Sequence, residues 1–126
     1  MVDVHMRTPF ILSQLFCEFM KQSQGCIINV SCDKGSRPEP GLVGYCMVKA
    51  GLEMLTKSLA MELAPFGIRF NAVAPSYIET NLYRFTGMSE PELDALSKRV
   101  KKNMPMQRNC TTSEVAKAII FLTSEQ

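Results

Sequence analysis

The chain predicts an α/β fold built on a parallel, doubly wound sheet, and three observations carry that prediction. Cys26–Val30 and residues 68–74 are short, almost wholly apolar runs of the kind that become strands covered on both faces. Between them, Val48, Leu52, Leu55, Leu59 and Leu63 recur at helical spacing and mark a long amphipathic helix. Strand, helix and strand joined by short connections imply a right-handed parallel crossover.

Each element follows from local pattern. Phe10-Ile11-Leu12, Leu15-Phe16 and Phe19-Met20 put an apolar face on a first helix over residues 8–22, and Gly25 breaks it. Residues 31–41 carry two glycines and two prolines and read as a loop. The long helix covers residues 42–64 and stops at Pro65-Phe66-Gly67; the second strand is ended by Pro75. Residues 75–108 are irregular apart from a charged helix over Glu90–Asn103. Thr111 with Glu114 forms a capping box that opens a last helix, Thr112–Thr123.

Composition bounds the class. A chain of 126 residues with 46% hydrophobic content is enough for one packed domain and argues against disorder. A formal charge of +2 gives no reason to expect nucleic acid as a partner. Five cysteines without a Cys-x-x-Cys pair read as free thiols in a reducing compartment, not as a disulfide framework or a zinc site. The single histidine, His5, offers only one imidazole ligand. No apolar run reaches the roughly 18–20 residues of a membrane span, and no signal peptide is visible. The expectation is a soluble, cytoplasmic protein, with a mitochondrial or peroxisomal location left open.

Chemistry concentrates at Gly44-Tyr45-Cys46-Met47-Val48-Lys49. Tyr45 and Lys49 stand one turn apart at the head of the long helix, a phenol and an amine on one face. A phenol titrates near about 10, and a neighbouring ammonium favours its ionised form. Charges ~4 Å apart at an effective dielectric of ~20 interact by ~4 kcal/mol, up to ~3 pKa units. That pairing is expected to bring Tyr45 toward working pH as a proton-transfer group.

The stretches Tyr45-Cys-Met-Val-Lys49, Ala60-Met-Glu-Leu63 and Ile68-Arg-Phe-Asn71-Ala-Val-Ala-Pro75-Ser-Tyr-Ile78-Glu-Thr80 resemble the second half of a short-chain dehydrogenase/reductase. The resemblance covers most of the chain, from about Val4 to Leu122. It implies a Rossmann-like fold and an oxidoreductase that interconverts an alcohol and a carbonyl with NADP or NAD. In flavour it is similar to 3-oxoacyl-carrier-protein reductases and small carbonyl or sugar reductases. By the same resemblance Tyr45 is the proton donor or acceptor, and Lys49 binds the nicotinamide ribose and lowers the Tyr45 pKa. Tyr45, Lys49, Pro75, Ser76, Ile78 and Thr80 are the implied cofactor contacts. The helices over residues 8–22 and 42–64 correspond to the family's subunit interface, implying a homodimer or homotetramer.

The chain departs from the family pattern in three places. Cys32 stands thirteen residues before Tyr45, where the family has a serine that holds the substrate oxygen; a thiol is a weaker donor. His5 stands where the family has an asparagine of a proton relay, and imidazole also donates and accepts. No Gly-x-x-x-Gly-x-Gly turn for the pyrophosphate occurs in the sequence. Residues 1–126 are therefore expected to be the C-terminal part of one domain, without the dinucleotide-binding strands and the last strand. The alternative to an oxidoreductase is a non-catalytic remnant that at most associates with family subunits.

Other features have plainer expectations. Cys17 is expected to be buried beside Phe16 and Phe19, Cys46 and Cys110 to be structural, and the nine methionines to lie in the core. Lys98-Arg99-Val100-Lys101-Lys102 is expected to be a solvated helix face near a C-terminus, ahead of a site for a phosphate-bearing substrate. Asn29 is expected to bond neighbouring backbone.

Overall fold

The computed structural model describes residues 1–83 and 87–124. Its elements run α1 (Thr8–Ser23), β1 (Cys26–Val30), α2 (Val43–Leu63), β2 (Arg69–Val73), α3 (Glu90–Asn103) and α4 (Thr112–Thr123). A π-helical turn, Asp3–Arg7, precedes α1, and one-turn 3-10 helices occupy Asp33–Gly35 and Ala64–Phe66. The N-terminal π turn and the turn inside the 31–41 loop had no counterpart in the apolar pattern.

β1 and β2 pair in parallel, with Cys26 opposite Arg69 and Val30 opposite Val73. The ladder continues past the strand ends, where the Ser31 N–H donates to the Val73 carbonyl at 2.7 Å. A single parallel bridge between Ile78 and Cys110 lies beyond β2. Cys17, Leu59, Ile68 and Phe70 form the buried centre, with Met20, Ile27, Leu55, Ala60 and Leu63 packed around it. The inward stripe of α2 is Val48, Lys49, Leu52, Thr56 and Leu59. Val48 is wholly buried.

Packing corrects three expectations. The inward positions of α1 are Ser13 and Cys17, while Phe16 and Phe19 face out, Phe19 at 75% exposure. A helix stripe of width one residue in three or four buries positions 13 and 17 and leaves 16 and 19 on its flank. Met47, Met54 and Met61 are exposed, because α2 turns those positions away from the sheet. Asn29 does not bond neighbouring backbone: its amide donates to the Thr56 hydroxyl of α2 at 2.8 Å.

The basic run of α3 is tied locally. Lys98 pairs with Asp94 at 2.7 Å, Arg99 with Glu39 at 3.3 Å and Lys101 with Glu79 at 3.3 Å. The Thr111–Glu114 capping box opens α4. The Arg69 guanidinium closes the other end of that helix on the Leu122 and Ser124 carbonyls, at 2.7 and 3.1 Å. This satisfies acceptors that a helix end leaves unpaired. Ser89 and Glu92 make a second capping box at α3 that the sequence reading did not single out. Among the described residues no helix is long and apolar enough to cross a membrane, and no cluster of His, Cys, Asp and Glu could hold a metal ion. All five cysteines are free thiols.

Candidate active site

The parallel pairing delivers the carboxyl ends of β1 and β2 to one edge, the edge where open α/β sheets bind ligands. The first half of α2 lies against that edge. Thr56 takes the Asn29 amide, Glu53 Oε1 accepts the Ser31 hydroxyl at 2.9 Å, and the Lys49 ammonium donates to the Val30 carbonyl at 3.0 Å. One turn earlier, Tyr45 meets Cys32. Positions 45, 49, 53 and 56 form one stripe of a 3.6-residue helix, so the same face grips the strand end and presents the phenol.

Burial holds Tyr45 well above the ordinary phenol pKa, with Cys32 the next contributor. The Lys49 ammonium sits 5.7 Å from the Tyr45 ring centroid. Its hydrogen bond goes to the strand, and it does not bring the phenol down toward neutrality as the spacing predicted. Physically, a bare phenolate here loses solvent without gaining a direct donor from the lysine. The charges of Cys32 and Tyr83 oppose the phenolate only when those groups are ionised, and burial raises both of their pKa values too, while the Cys32 hydrogen bond favours the neutral phenol in any case. At neutral pH burial is therefore the dominant cause. Burial in turn lowers the pKa of Lys49, which is only 6% exposed.

The Cys32 thiol donates to Asp33 Oδ1 at 3.2 Å. Its interaction with Tyr45 favours the neutral phenol and the thiolate, the sense expected when the phenol donates to sulfur. His5 packs edge-on to Tyr45 with centroids 6.1 Å apart, and burial, then Lys49, lowers its pKa. Tyr45, Lys49, Cys32 and His5 thus converge.

The implied cofactor contacts leave β2 in order. The Pro75 carbonyl accepts from the Asp33 N–H at 3.1 Å, Ile78 makes its bridge with Cys110, and Thr80 Oγ1 accepts from the Leu82 N–H at 3.3 Å. Ser76 lies half-buried between Pro75 and Tyr77. Thr80 lines an open cleft of about 510 Å³ against α3 with Tyr77, Glu79, Asn81, Leu93 and Lys101. Tyr45, Lys49 and Cys32 do not line that cleft.

Two residues at this site, Tyr83 and Glu53, escaped the sequence reading, while Ser31 reads there as a serine one position before Cys32 and on the other face of the strand. Tyr83 stacks on Tyr77 with centroids 5.0 Å apart and bears electrostatically on Tyr45 and Cys32. It lies in the segment 77–110, whose shape composition does not encode; residues 84–86 of that segment lie outside the described residues. Glu53 was legible in principle, since it sits eight positions after Tyr45 on the same stripe.

Comparison with known proteins places this arrangement. A family model described as enoyl-(acyl carrier protein) reductase matches residues 1–126. Carbonyl reductase [NADPH] 2 of Sus scrofa is 36% identical over 98% of this chain and 50% of its own length. The 3-oxoacyl-[acyl-carrier-protein] reductase of Rickettsia felis is 35% identical over 99% of the chain and 50% of its own. Among solved structures, 4-hydroxyisoleucine dehydrogenase complexed with NADH superposes with a TM-score of 0.87 at 31% identity, covering 99% of this chain and 51% of that one. The chain belongs to the short-chain dehydrogenase/reductase family, and its α/β arrangement is the Rossmann-like one of that family. It spans about half the length of the curated relatives it matches.

Proposed function

We propose that these residues are the catalytic, C-terminal part of a single oxidoreductase domain that interconverts an alcohol and a carbonyl with NADP or NAD. The observation that carries this reading is the convergence of Tyr45, Cys32 and Lys49 at the carboxyl edge of the two strands. The NADPH in the name of the porcine relative and the NADH in the dehydrogenase complex support the cofactor class.

The donor set fits one end of such a cofactor. The Lys49 ammonium and the Tyr45 hydroxyl suit ribose hydroxyls, and Pro75, Ser76, Ile78 and Thr80 border the same edge. The sequence holds no glycine-rich turn for the pyrophosphate. When bound, NAD(P)H supplies the hydride. Tyr45, kept neutral by burial, donates its proton to the oxygen of the carbonyl being reduced. Cys32 orients that oxygen by turning its single S–H, which otherwise bonds Asp33, toward it; a thiol is a weaker donor than a hydroxyl. Lys49 keeps its bond to the Val30 carbonyl and turns its remaining donors toward the ribose. His5, beside the ring, re-supplies the proton.

The test is NADPH- and NADH-linked reduction of small carbonyl compounds by the full product of the gene and by its Tyr45→Phe variant. Turnover that survives in the variant would exclude this role for Tyr45.

A second reading is favoured by the outward apolar side chains of α1 and α4, including Phe19 and Phe121 at 75% and 68% exposure. Here the chain is a non-catalytic unit that pairs with itself or with family subunits through those faces. A stable complex without any cofactor-linked turnover would support it.

A further inference from the structure

Glu53 uses one oxygen for two purposes. Oε1 accepts the Ser31 hydroxyl at 2.9 Å, and a Cβ placed on Gly35 would stand 2.4 Å from the same oxygen. A side chain at Gly35 would push the end of Glu53 aside and crowd the Lys49 backbone, whose carbonyl carbon would be 3.1 Å from that Cβ. Ser31 is buried, and its second hydroxyl contact is the Lys49 carbonyl at 3.4 Å. Cys32 is the one residue between Ser31 and that turn. The Gly35 N–H closes back on the Cys32 carbonyl at 2.9 Å, and the Asp33 N–H is held by Pro75. Both sides of Cys32 are therefore anchored, Ser31 by the Glu53 carboxylate and Asp33 by the Pro75 carbonyl, and Gly35 of the following turn packs closely on Glu53.

We propose that Glu53 is a positioning residue that, through Ser31 and the Gly35 approach, holds the Cys32 thiol against Tyr45. The proposal rests on the reading above in taking Cys32 and Tyr45 as the reacting pair, but its geometry does not depend on turnover. Strand β1 ends at Val30, and beyond it the backbone on either side of Cys32 is held by only two bonds, Ser31 N–H to Val73 and Asp33 N–H to Pro75, so a side-chain clamp at Ser31 adds to a thinned ladder. Of α2's side-chain contacts on the strand end, Thr56 fixes Asn29, Lys49 fixes Val30 and Glu53 fixes Ser31, the residue next to Cys32.

The experiment measures iodoacetamide alkylation of Cys32 in the native full gene product by mass spectrometry, with Cys26 and Cys110 as internal references. Cys26 lies at the far end of β1 and reports general loosening. Ser31→Ala, Glu53→Ala and Gly35→Ala are each expected to speed Cys32 alkylation by about tenfold, because relief of the burial that raises the thiol pKa outweighs loss of the smaller, thiolate-favouring Tyr45 contact, and to leave the references unchanged. Glu53→Gln keeps the accepting oxygen and should restore the slow rate. An unchanged Cys32 rate in the alanine variants overturns the proposal. So does equal acceleration of all three thiols, which would make Glu53 a residue of general stability. If Glu53→Ala does not fold, Ser31→Ala removes a single oxygen and decides the matter alone. Carbonyl reduction surviving in Tyr45→Phe would refute the catalytic reading and leave this alkylation result standing.

Discussion

The Lys49 ammonium bonds the Val30 carbonyl at 3.0 Å, so one of the three donors of the cation that the sequence pairs with Tyr45 goes to the end of β1. Tyr45 is left as a half-buried neutral phenol. That state suits donation to an alkoxide more than abstraction from an alcohol. It also fixes what substitutions and pH should do.

Tyr45→Phe removes the proton donor and keeps the ring that packs on His5. Steady-state reduction by the full gene product should fall by ~10²–10⁴, the usual worth of a positioned acid, while fluorescence titration of the cofactor shows at most about a tenfold weaker Kd, the loss of one ribose hydrogen bond. A variant retaining a tenth of the rate would be incompatible with this role.

The pH dependence has a definite sign. The folded Tyr45 pKa lies above its unfolded value of about 10, so folding favours the neutral phenol. The resulting stability is fully present below about pH 10 and is lost as pH rises through the folded value. Carbonyl reduction should accordingly show no falling limb from Tyr45 between pH 7 and about 10. A pH–rate profile with such a limb near neutrality, absent in Tyr45→Phe, would contradict it.

Cys32→Ser replaces a weak donor by a stronger one at the same place. Losing a good donor at an oxyanion costs roughly 10²–10³ in rate, so this substitution should raise kcat, by up to that range. A neutral or harmful result means that the thiol does not face the substrate oxygen.

Residues 1–126 by themselves should bind neither NADH nor NADPH tightly. Lys49 and Tyr45 serve only the ribose end, and the sequence has no glycine-rich cradle for the pyrophosphate. Isothermal titration yielding a dissociation constant below ~10 μM would refute this.

The same 126 residues should associate or behave as a loose globule. Phe16, Phe19, Ile120 and Phe121 are exposed on α1 and α4, and each strand of the two-stranded sheet has an unpaired edge among the described residues. Size-exclusion chromatography with thermal unfolding checks this; a clean monomer with one sharp transition would overturn it.

Local sequence determined the elements. The apolar run Cys26–Val30, the 3.6-residue stripe from Val48 to Leu63, and the Thr111–Glu114 box each depend on residues within a few positions, and α3 and α4 fall over Glu90–Asn103 and Thr112–Thr123 as their patterns predict. The resemblance carried by Tyr45 to Thr80 also identified the family. Tertiary structure decided what those elements do with their side chains. Periodicity gives α1 an apolar face, but the sheet selects Cys17 to bury and leaves Phe19 outside. Spacing brings Lys49 near Tyr45, but the end of β1, nineteen residues back in the chain, takes its hydrogen bond. Arg99 finds Glu39 sixty positions away, and Glu53 finds Ser31 across twenty-two. Such pairings depend on how the chain returns to itself, and a helical or strand period has no term for that distance.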